Sequence, residues 1–241
     1  MFENMPPALR GSLIAKNGFR NEREIADKFN NWQNDNEAKQ WLEIMGYTLD
    51  TIQSVNSAVL HGHKTDVHVD IRISVKLKNI DAVENIQVKL VSSVAGFNQI
   101  DKRWVDQYAK FWNMPDDIVS IFKRYTGEKE PTVDNPRDGR RMFVDEFSEN
   151  EQKVLKIWLE DNVIMIIADV IKGRGMITPE WILVAQQTDT NARWTLKPMN
   201  VCFNHYSKGG VQITPRGNIR LGRITVQRKG GDAGRETANM L

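Results

Sequence analysis

Asp66, Gln87 and Lys89 offer a carboxylate, an amide oxygen and an ammonium, the groups that phosphodiester hydrolysis asks of a protein. A carboxylate and an amide oxygen suit a hard cation such as Mg²⁺, which takes oxygen ligands in octahedral geometry and keeps several waters. Such a cation stabilises charge on the attacked phosphate and eases formation of hydroxide from water. A lysine beside it can orient that water or stabilise charge developing at phosphorus. Spacing alone does not establish the trio, because polar residues on the outer face of a hairpin are ordinary.

The elements that must bring the trio together are two strands. Val67, Val69, Ile71, Ile73 and Val75 alternate without a fault with Asp66, His68, Asp70, Arg72 and Ser74, which is the period of a half-buried strand. Ile86, Val88 and Leu90 against Gln87 and Lys89 predict its neighbour, with the polar stretch from Lys76 to Glu84 as the turn. If the two strands pair, Asp66 lies beside Gln87 and Lys89. Upstream, a helix is expected from about Glu22 to Gln40, interrupted near Asn34 to Asn36. Asn21 and Glu24 form a capping box, and Ile25, Ala26, Phe29 and Trp32 an apolar stripe. Glu22 falls on that stripe, where a carboxylate serves either the helix N-terminus or an active site. Further elements are a helix over 41–47, a loop over 49–53 and a strand over 55–60. His61, His63 and His68 raise the question of zinc, but neither a His-Glu-x-x-His motif nor a cysteine pair accompanies them.

After Lys89 the chain enters Gly96-Phe97-Asn98-Gln99-Ile100-Asp101-Lys102. An aromatic at a loop tip beside two amides and a lysine can wedge between base steps while the amides read base edges; the plainer alternative is a loop anchor packed inward. Two helices separated at Pro115 follow, with stripes Trp104, Tyr108, Phe111 and Ile118, Ile121, Phe122, Tyr125. In the polar stretch 126–141, Arg137, Arg140 and Arg141 either grip phosphate or stay solvated. Ser148 to Glu151 is a capping box opening a helix to about Leu159, and the apolar run Val163–Ala168 predicts a central strand covered on both faces. Trp181 to Ala185 returns as another strand. Near the end, a strand runs into Gln227-Arg228-Lys229-Gly230-Gly231-Asp232. Arg and Lys donate to guanine and Asp accepts from cytosine in a major groove, although phosphate contact is the commoner use of such cations. No Gly-Lys-Ser/Thr follows the glycine pair, so this is no P-loop.

At 241 residues, 40% hydrophobic and 27% charged, the chain is globular and long enough for a real core. The mixture of strands and helices predicts an α/β layer fold. The formal net charge is +2, but its distribution is uneven. Lys208, Arg216, Arg220, Arg223, Arg228, Lys229 and Arg235 face only Asp232 and Glu236 between residues 205 and 236. A single cysteine, Cys202, excludes an internal disulfide and fits a reducing compartment. With no membrane-length apolar run and no signal-peptide pattern, the expected location is the cytoplasm.

Four blocks carry a resemblance: 17–27 (NGFRNEREIAD), 85–92 (NIQVKLVS), 96–102 (GFNQIDK) and 227–241 (QRKGGDAGRETANML). In order along nearly the whole chain, they resemble the HinP-type, GCGC-cutting type II restriction endonucleases; the stretches 139–147 and 191–194 are similar too. The resemblance implies a PD-(D/E)xK nuclease core, related to MspI-like enzymes, with a mixed β-sheet flanked by helices. It implies a single domain over 1–241, with the catalytic core at about 17–102 and a DNA-reading segment at about 205–241. Asp66 matches the family's metal carboxylate, with Thr65 where the family has serine, and Gln87 and Lys89 match its Gln-x-Lys pair. Ligands to Mg²⁺ would be Asp66, Gln87 and the Val88 carbonyl, with Lys89 positioning the attacking water and Glu22 completing the electrostatics. Phe97 and Gln99 match the family's loop residues, next to Asn98 and Lys102, and Gln227, Arg228, Lys229 and Asp232 fall in its major-groove loop. The expected partners are double-stranded DNA and, functionally, a protecting methyltransferase, with the enzyme a monomer or weak homodimer. The family's chain continues past the position of Leu241. Two competing readings are a DNA-binding protein with an inactive nuclease core and a structure-specific repair nuclease.

Overall fold

The structure, a computed structural model, describes residues 22–60, 70–77, 81–91, 104–174, 178–187, 192–226, 228–229 and 239–240. Two compact units divide the chain, one formed by residues 1–97 and 173–202, the other by 98–172 and 203–241.

The first unit is built on a mixed sheet of five strands: β1 (Ile52–Leu60), β2 (Asp70–Leu77), β3 (Asp81–Val91), β4 (Trp181–Gln187) and β5 (Ala192–Pro198), adjacent in that order. All neighbours are antiparallel except β3 and β4, which run parallel. β3 is therefore the central strand, bonded on both edges. Residues 22–30 are helical (α1), turns follow over 31–34, and α2 spans Asn36–Ile44. The break falls where the sequence predicts it, because the Asp35 carboxylate accepts from the Glu37 and Ala38 N–H groups, each at 2.9 Å, and so starts a new helix. α2 ends by the reverse device. Gly46 takes φ 94°, the Tyr47 N–H donates to Leu42 O and the Gly46 N–H to Glu43 O, a Schellman ending. Ile25, Ala26, Phe29 and Trp32 are all buried, as their spacing requires. They join Trp41 and Leu42 of α2 in one core with Val75, Ile86, Val88, Leu183 and Leu196 of the sheet. The helices thus cover the face that carries Ile86 and Val88.

The hairpin is longer and its turn shorter than the sequence suggests. β2 continues to Leu77 and β3 begins at Asp81, so Lys76 and the stretch Asp81 to Glu84 are strand, paired across the hairpin. For Lys76 and Asp81 polarity reflects exposure rather than a turn, since both face solvent.

In the second unit, α3 (Val105–Trp112), α4 (Asp116–Thr126) and α5 (Glu149–Lys172) come together with a small antiparallel sheet, β6 (Val211–Ile213), β7 (Ile219–Leu221) and β8 (Ile224–Thr225), and a two-stranded ladder of β9 (Arg228–Lys229) and β10 (Asn239–Met240). α6 (Met199–Tyr206) follows β5. The expected central strand Val163–Ala168 lies inside α5, which is 24 residues long. Ile166 and Ile167 are buried while Ile164 and Met165 are exposed, a helical pattern. A short apolar run fits a buried strand and a buried helix equally; no glycine or proline stands between Ser148 and Gly173 to end the helix that the capping box starts. That box is formed, with Ser148 Oγ accepting from the Glu151 N–H and Glu151 Oε2 accepting from the Ser148 N–H. The Ile118, Ile121, Phe122, Tyr125 stripe of α4 is buried. On α3 the core face is instead Val105, Tyr108 and Trp112, with Trp104 and Phe111 exposed.

Candidate active site

Gln87, Val88 and Lys89 lie in the C-terminal half of β3, the central strand of the five. Alternation sends Val88 into the helix-covered core and puts Gln87 and Lys89 on the opposite face. Gln87 is only 2% exposed and Lys89 is half-buried. A carboxylate buried without a compensating charge would cost several kcal/mol on the order-of-magnitude scale for desolvated ions, whereas a neutral amide still offers an oxygen. Two residues back on the same face, Asn85 is buried too. Its N–H donates to Glu180 Oε2 at 2.7 Å and its carbonyl accepts from the Glu180 N–H at 2.9 Å. That staple fixes β3 to the residue before β4. On the core face, Glu84 accepts from the Tyr47 hydroxyl at 2.7 Å and the Trp181 indole at 2.9 Å. Burial and the Glu84 carboxylate beside it push the Tyr47 phenol well above its usual range.

In the ladder Gln87 is directly opposite Asp70 on β2 and Ile182 on β4. Directly opposed residues of an antiparallel pair share a face, so Asp70 has the register position next to Gln87. The sequence reading gave that place to Asp66. Asp66 and Thr65 lie outside the described residues. Asp70 carried a signal nonetheless, since it stands on the polar side of the alternating stretch with Asp66; what the sequence lacked was the turn length that sets the register. Glu22 is in the first turn of the described part of α1, 9% exposed, on the stripe with Ile25 and Ala26 as expected. Asn21, His61, His63 and His68 are outside the described residues, and among those described no cluster of three or more His, Cys, Asp or Glu side chains is placed to hold a metal. The oxygen donors expected around Gln87 are an amide, a main-chain carbonyl and a carboxylate. That is a set suited to a hard cation such as Mg²⁺ and unsuited to the thiolate- or imidazole-rich chemistry of zinc.

The expected DNA-facing residues Phe97, Asn98, Gln99, Lys102, Gln227 and Asp232 also lie outside the described residues. Arg228 and Lys229 form β9, paired with Met240 and Asn239 of β10. The glycine-rich segment is therefore closed by a returning strand that the sequence reading did not anticipate. The arginines of the 126–141 stretch are paired with acidic neighbours. Arg137 pairs with Asp145 and Glu146, Arg140 and Arg141 pair with Asp138, and Arg137 stacks on Phe143. The Arg140 guanidinium, against the opposing cost of burial and with help from Arg141, holds the Asp138 carboxyl well below its usual range. These cations stabilise their own loop.

A mixed five-stranded sheet with flanking helices and a Gln-x-Lys pair on its central strand has the form of a restriction-nuclease core. The family model of the R.HinP1I restriction endonuclease matches residues 45–241, most of the chain and all five strands, and the chain belongs to that family. It is a nuclease of the type II restriction kind and its substrate is DNA. The match begins beyond Glu22. No individually curated protein matches the sequence. No helix among the described residues is long and apolar enough to cross a membrane.

Proposed function

We propose that the protein is a Mg²⁺-dependent type II endonuclease that cuts double-stranded DNA within a short palindromic G·C site, GCGC, and leaves 5′-phosphates. The observation that carries this reading is the buried Gln87 beside Lys89 on the central strand of a restriction-endonuclease chain. In this reading Asp66, Gln87 and the Val88 carbonyl hold the cation, which supplies charge stabilisation at the phosphate and a more acidic water. Gln87 contributes an oxygen without charge, so the negative charge of the site comes from Asp66, supported by Glu22. Lys89 orients the attacking water and takes up part of the negative charge that builds on the phosphoryl oxygens. The Thr65 hydroxyl orients Asp66. Phe97, Asn98, Gln99 and Lys102 engage one groove, and Gln227, Arg228, Lys229 and Asp232 read G·C edges in the major groove. We further propose that the activity belongs to the chain as one functional domain, that it acts as a monomer or weak homodimer in the cytoplasm, and that a methyltransferase protects the host's own sites.

Digestion of a plasmid of known sequence tests this, with Mg²⁺ or with EDTA, by the wild type and Lys89→Ala. Discrete Mg²⁺-dependent fragments ending at GCGC, lost in the variant, are expected. Discrete fragments ending elsewhere would keep the enzyme and remove the site. Cutting that ignores sequence would favour a structure-specific nuclease, and binding without cutting a DNA-binding protein with an inactive core.

A further inference from the structure

The C-terminal end of α4 holds two other pieces of chain at once. The Tyr125 hydroxyl, fully buried, donates to the Val226 carbonyl at 3.2 Å and accepts from the Ile219 N–H at 3.3 Å. The Val226 N–H in turn donates to Ile219 O at 2.9 Å. Val226 stands two residues before Arg228, and α4 lies against β9 itself. Three residues beyond Tyr125, Glu128 Oε1 accepts from the Val105 N–H at 2.9 Å. Val105 is the first residue of α3 and follows Lys102 by three positions. Lys123 adds a second tie to the same helix start through Asp106, 2.6 Å away. Between the two anchors Gly127 takes φ 93° and its N–H closes α4 onto Lys123 O. Tyr125 and Glu128 are thus the last helical turn and the first residue after the cap of one rigid element.

We infer that this helix end is the mount that sets cleavage specificity: Tyr125 and Glu128 are positioning residues that fix β9, with Arg228 and Lys229, and the start of α3, just after Lys102, from a single point. The inference rests on the proposed reading in which residues 97–102 and 227–232 contact DNA. Packing does not explain the Tyr125 hydroxyl, since phenylalanine fills nearly the same volume; the hydroxyl's work is to hold two main-chain groups. Reading a base edge requires donors and acceptors to be aligned within a fraction of an ångström, whereas contacts to phosphate position the protein and carry no sequence information. A loosened mount therefore loses discrimination before it loses affinity.

The test uses the full chain and compares Tyr125→Phe, Glu128→Ala, Glu128→Gln, Lys229→Ala and, as a packing control nearer the start of the same helix, Ile118→Val. Cleavage rates are measured on a duplex bearing the site mapped by plasmid digestion and on one with a single base pair changed, well below each variant's unfolding midpoint. Affinity for unrelated DNA is measured alongside. Tyr125→Phe and Glu128→Ala should each lower the cognate-to-altered rate ratio by about tenfold, the scale of one lost base contact, with affinity for unrelated DNA unchanged. Glu128→Gln, which keeps the acceptor oxygen, should restore the ratio, and Ile118→Val should lower the midpoint without moving the ratio. If Lys229→Ala collapses the ratio while Tyr125→Phe and Glu128→Ala leave it intact, the mount is wrong and the DNA-reading assignment stands. If Lys229→Ala also leaves it intact, the DNA-reading assignment falls and the mount with it. Should Tyr125→Phe fail to fold, the Glu128→Ala and Glu128→Gln pair decides alone.

Discussion

At the scale of single residues, the register of the hairpin raises a question that one pair of substitutions answers. Asp70 is the direct neighbour of Gln87, while the family resemblance assigns the metal carboxylate to Asp66. With Asp66 as the ligand, Asp66→Asn should slow cleavage by about 10²–10³-fold, the size of a lost electrostatic stabiliser, and Asp70→Asn by far less. The reverse ranking, in single-turnover cleavage at saturating Mg²⁺, would transfer the role to Asp70. Glu128 supports a second prediction at this scale, in stability. Burial, with the nearby Asp106 adding to it and the Val105 N–H and Lys123 opposing, raises its carboxyl from the usual 4.5 to about 7. Between those two values the folded chain holds a proton that the unfolded chain has released. Stability from this group therefore falls as pH rises from about 4.5 to about 7 and is level outside that window. Glu128→Gln removes the titration, so its melting temperature relative to wild type should climb across the window. A difference that stays flat from pH 4.5 to 7.5 would show that Glu128 titrates normally. The depressed carboxyls Asp35, Asp138, Glu146 and Glu151 act at lower pH. Their stabilisation is lost only as pH falls through the acid range, so they do not mask the effect.

At the scale of elements, three glycines separate backbone strain from crowding. Gly139 has ordinary φ and open space, Gly46 has φ 94° in open space, and Gly222 has φ 55° with the Tyr206 carbonyl where a Cβ would go. Alanine should be near neutral at 139. At 46 it should cost about 1–3 kcal/mol from the left-handed backbone alone. At 222 the cost should be larger, because the β7–β8 turn must also move off a main-chain oxygen. At about 2–4 °C per kcal/mol for a chain of this size, thermal unfolding resolves the order; equal losses at 46 and 222 would mean that the turn yields without strain. The elements also show where sequence is informative. The Ser148–Glu151 box and the α1 stripe were legible because each is a local pattern between residues three or four apart, and the break near Asn34 to Asn36 was legible where the Asp35 cap that makes it was not. The helical state of Val163–Ala168 was not legible from periodicity, which six apolar residues in a row do not contain; it was available from the missing breaker before Gly173. The exposed Trp104 and Phe111 were misassigned for a related reason, since a spacing of 3.6 is satisfied by two adjacent stripes and only tertiary packing selects Val105, Tyr108 and Trp112. For the site, the identities of Gln87 and Lys89 were readable, but the partner of Gln87 depended on the three-residue gap between Leu77 and Asp81, which hydrophobic pattern does not report.

At the scale of the whole molecule, charge decides how the chain meets DNA. The net charge of +2 is small, and the basic excess between residues 205 and 236 leaves the rest of the chain net acidic. The arginines at 137, 140 and 141 are already neutralised by Asp138, Asp145 and Glu146, so they add little to attraction for a polyanion. Affinity for DNA should then depend on few phosphate contacts, and log K should fall with log salt at a slope of about −0.9 per phosphate neutralised. This makes the role of Arg228 measurable. A guanidinium on phosphate, once removed in Arg228→Ala, should reduce the slope by about 1 and weaken binding to every sequence alike. A guanidinium on a guanine edge should leave the slope nearly unchanged and lower discrimination at one base pair by about 1–3 kcal/mol. The proposed reading requires the second outcome. Binding titrations of wild type and Arg228→Ala on cognate and unrelated duplexes, from low to moderate salt without Mg²⁺, distinguish the two. A reduced slope with discrimination intact would keep the protein a nuclease and move sequence reading away from Arg228 to other residues of the chain.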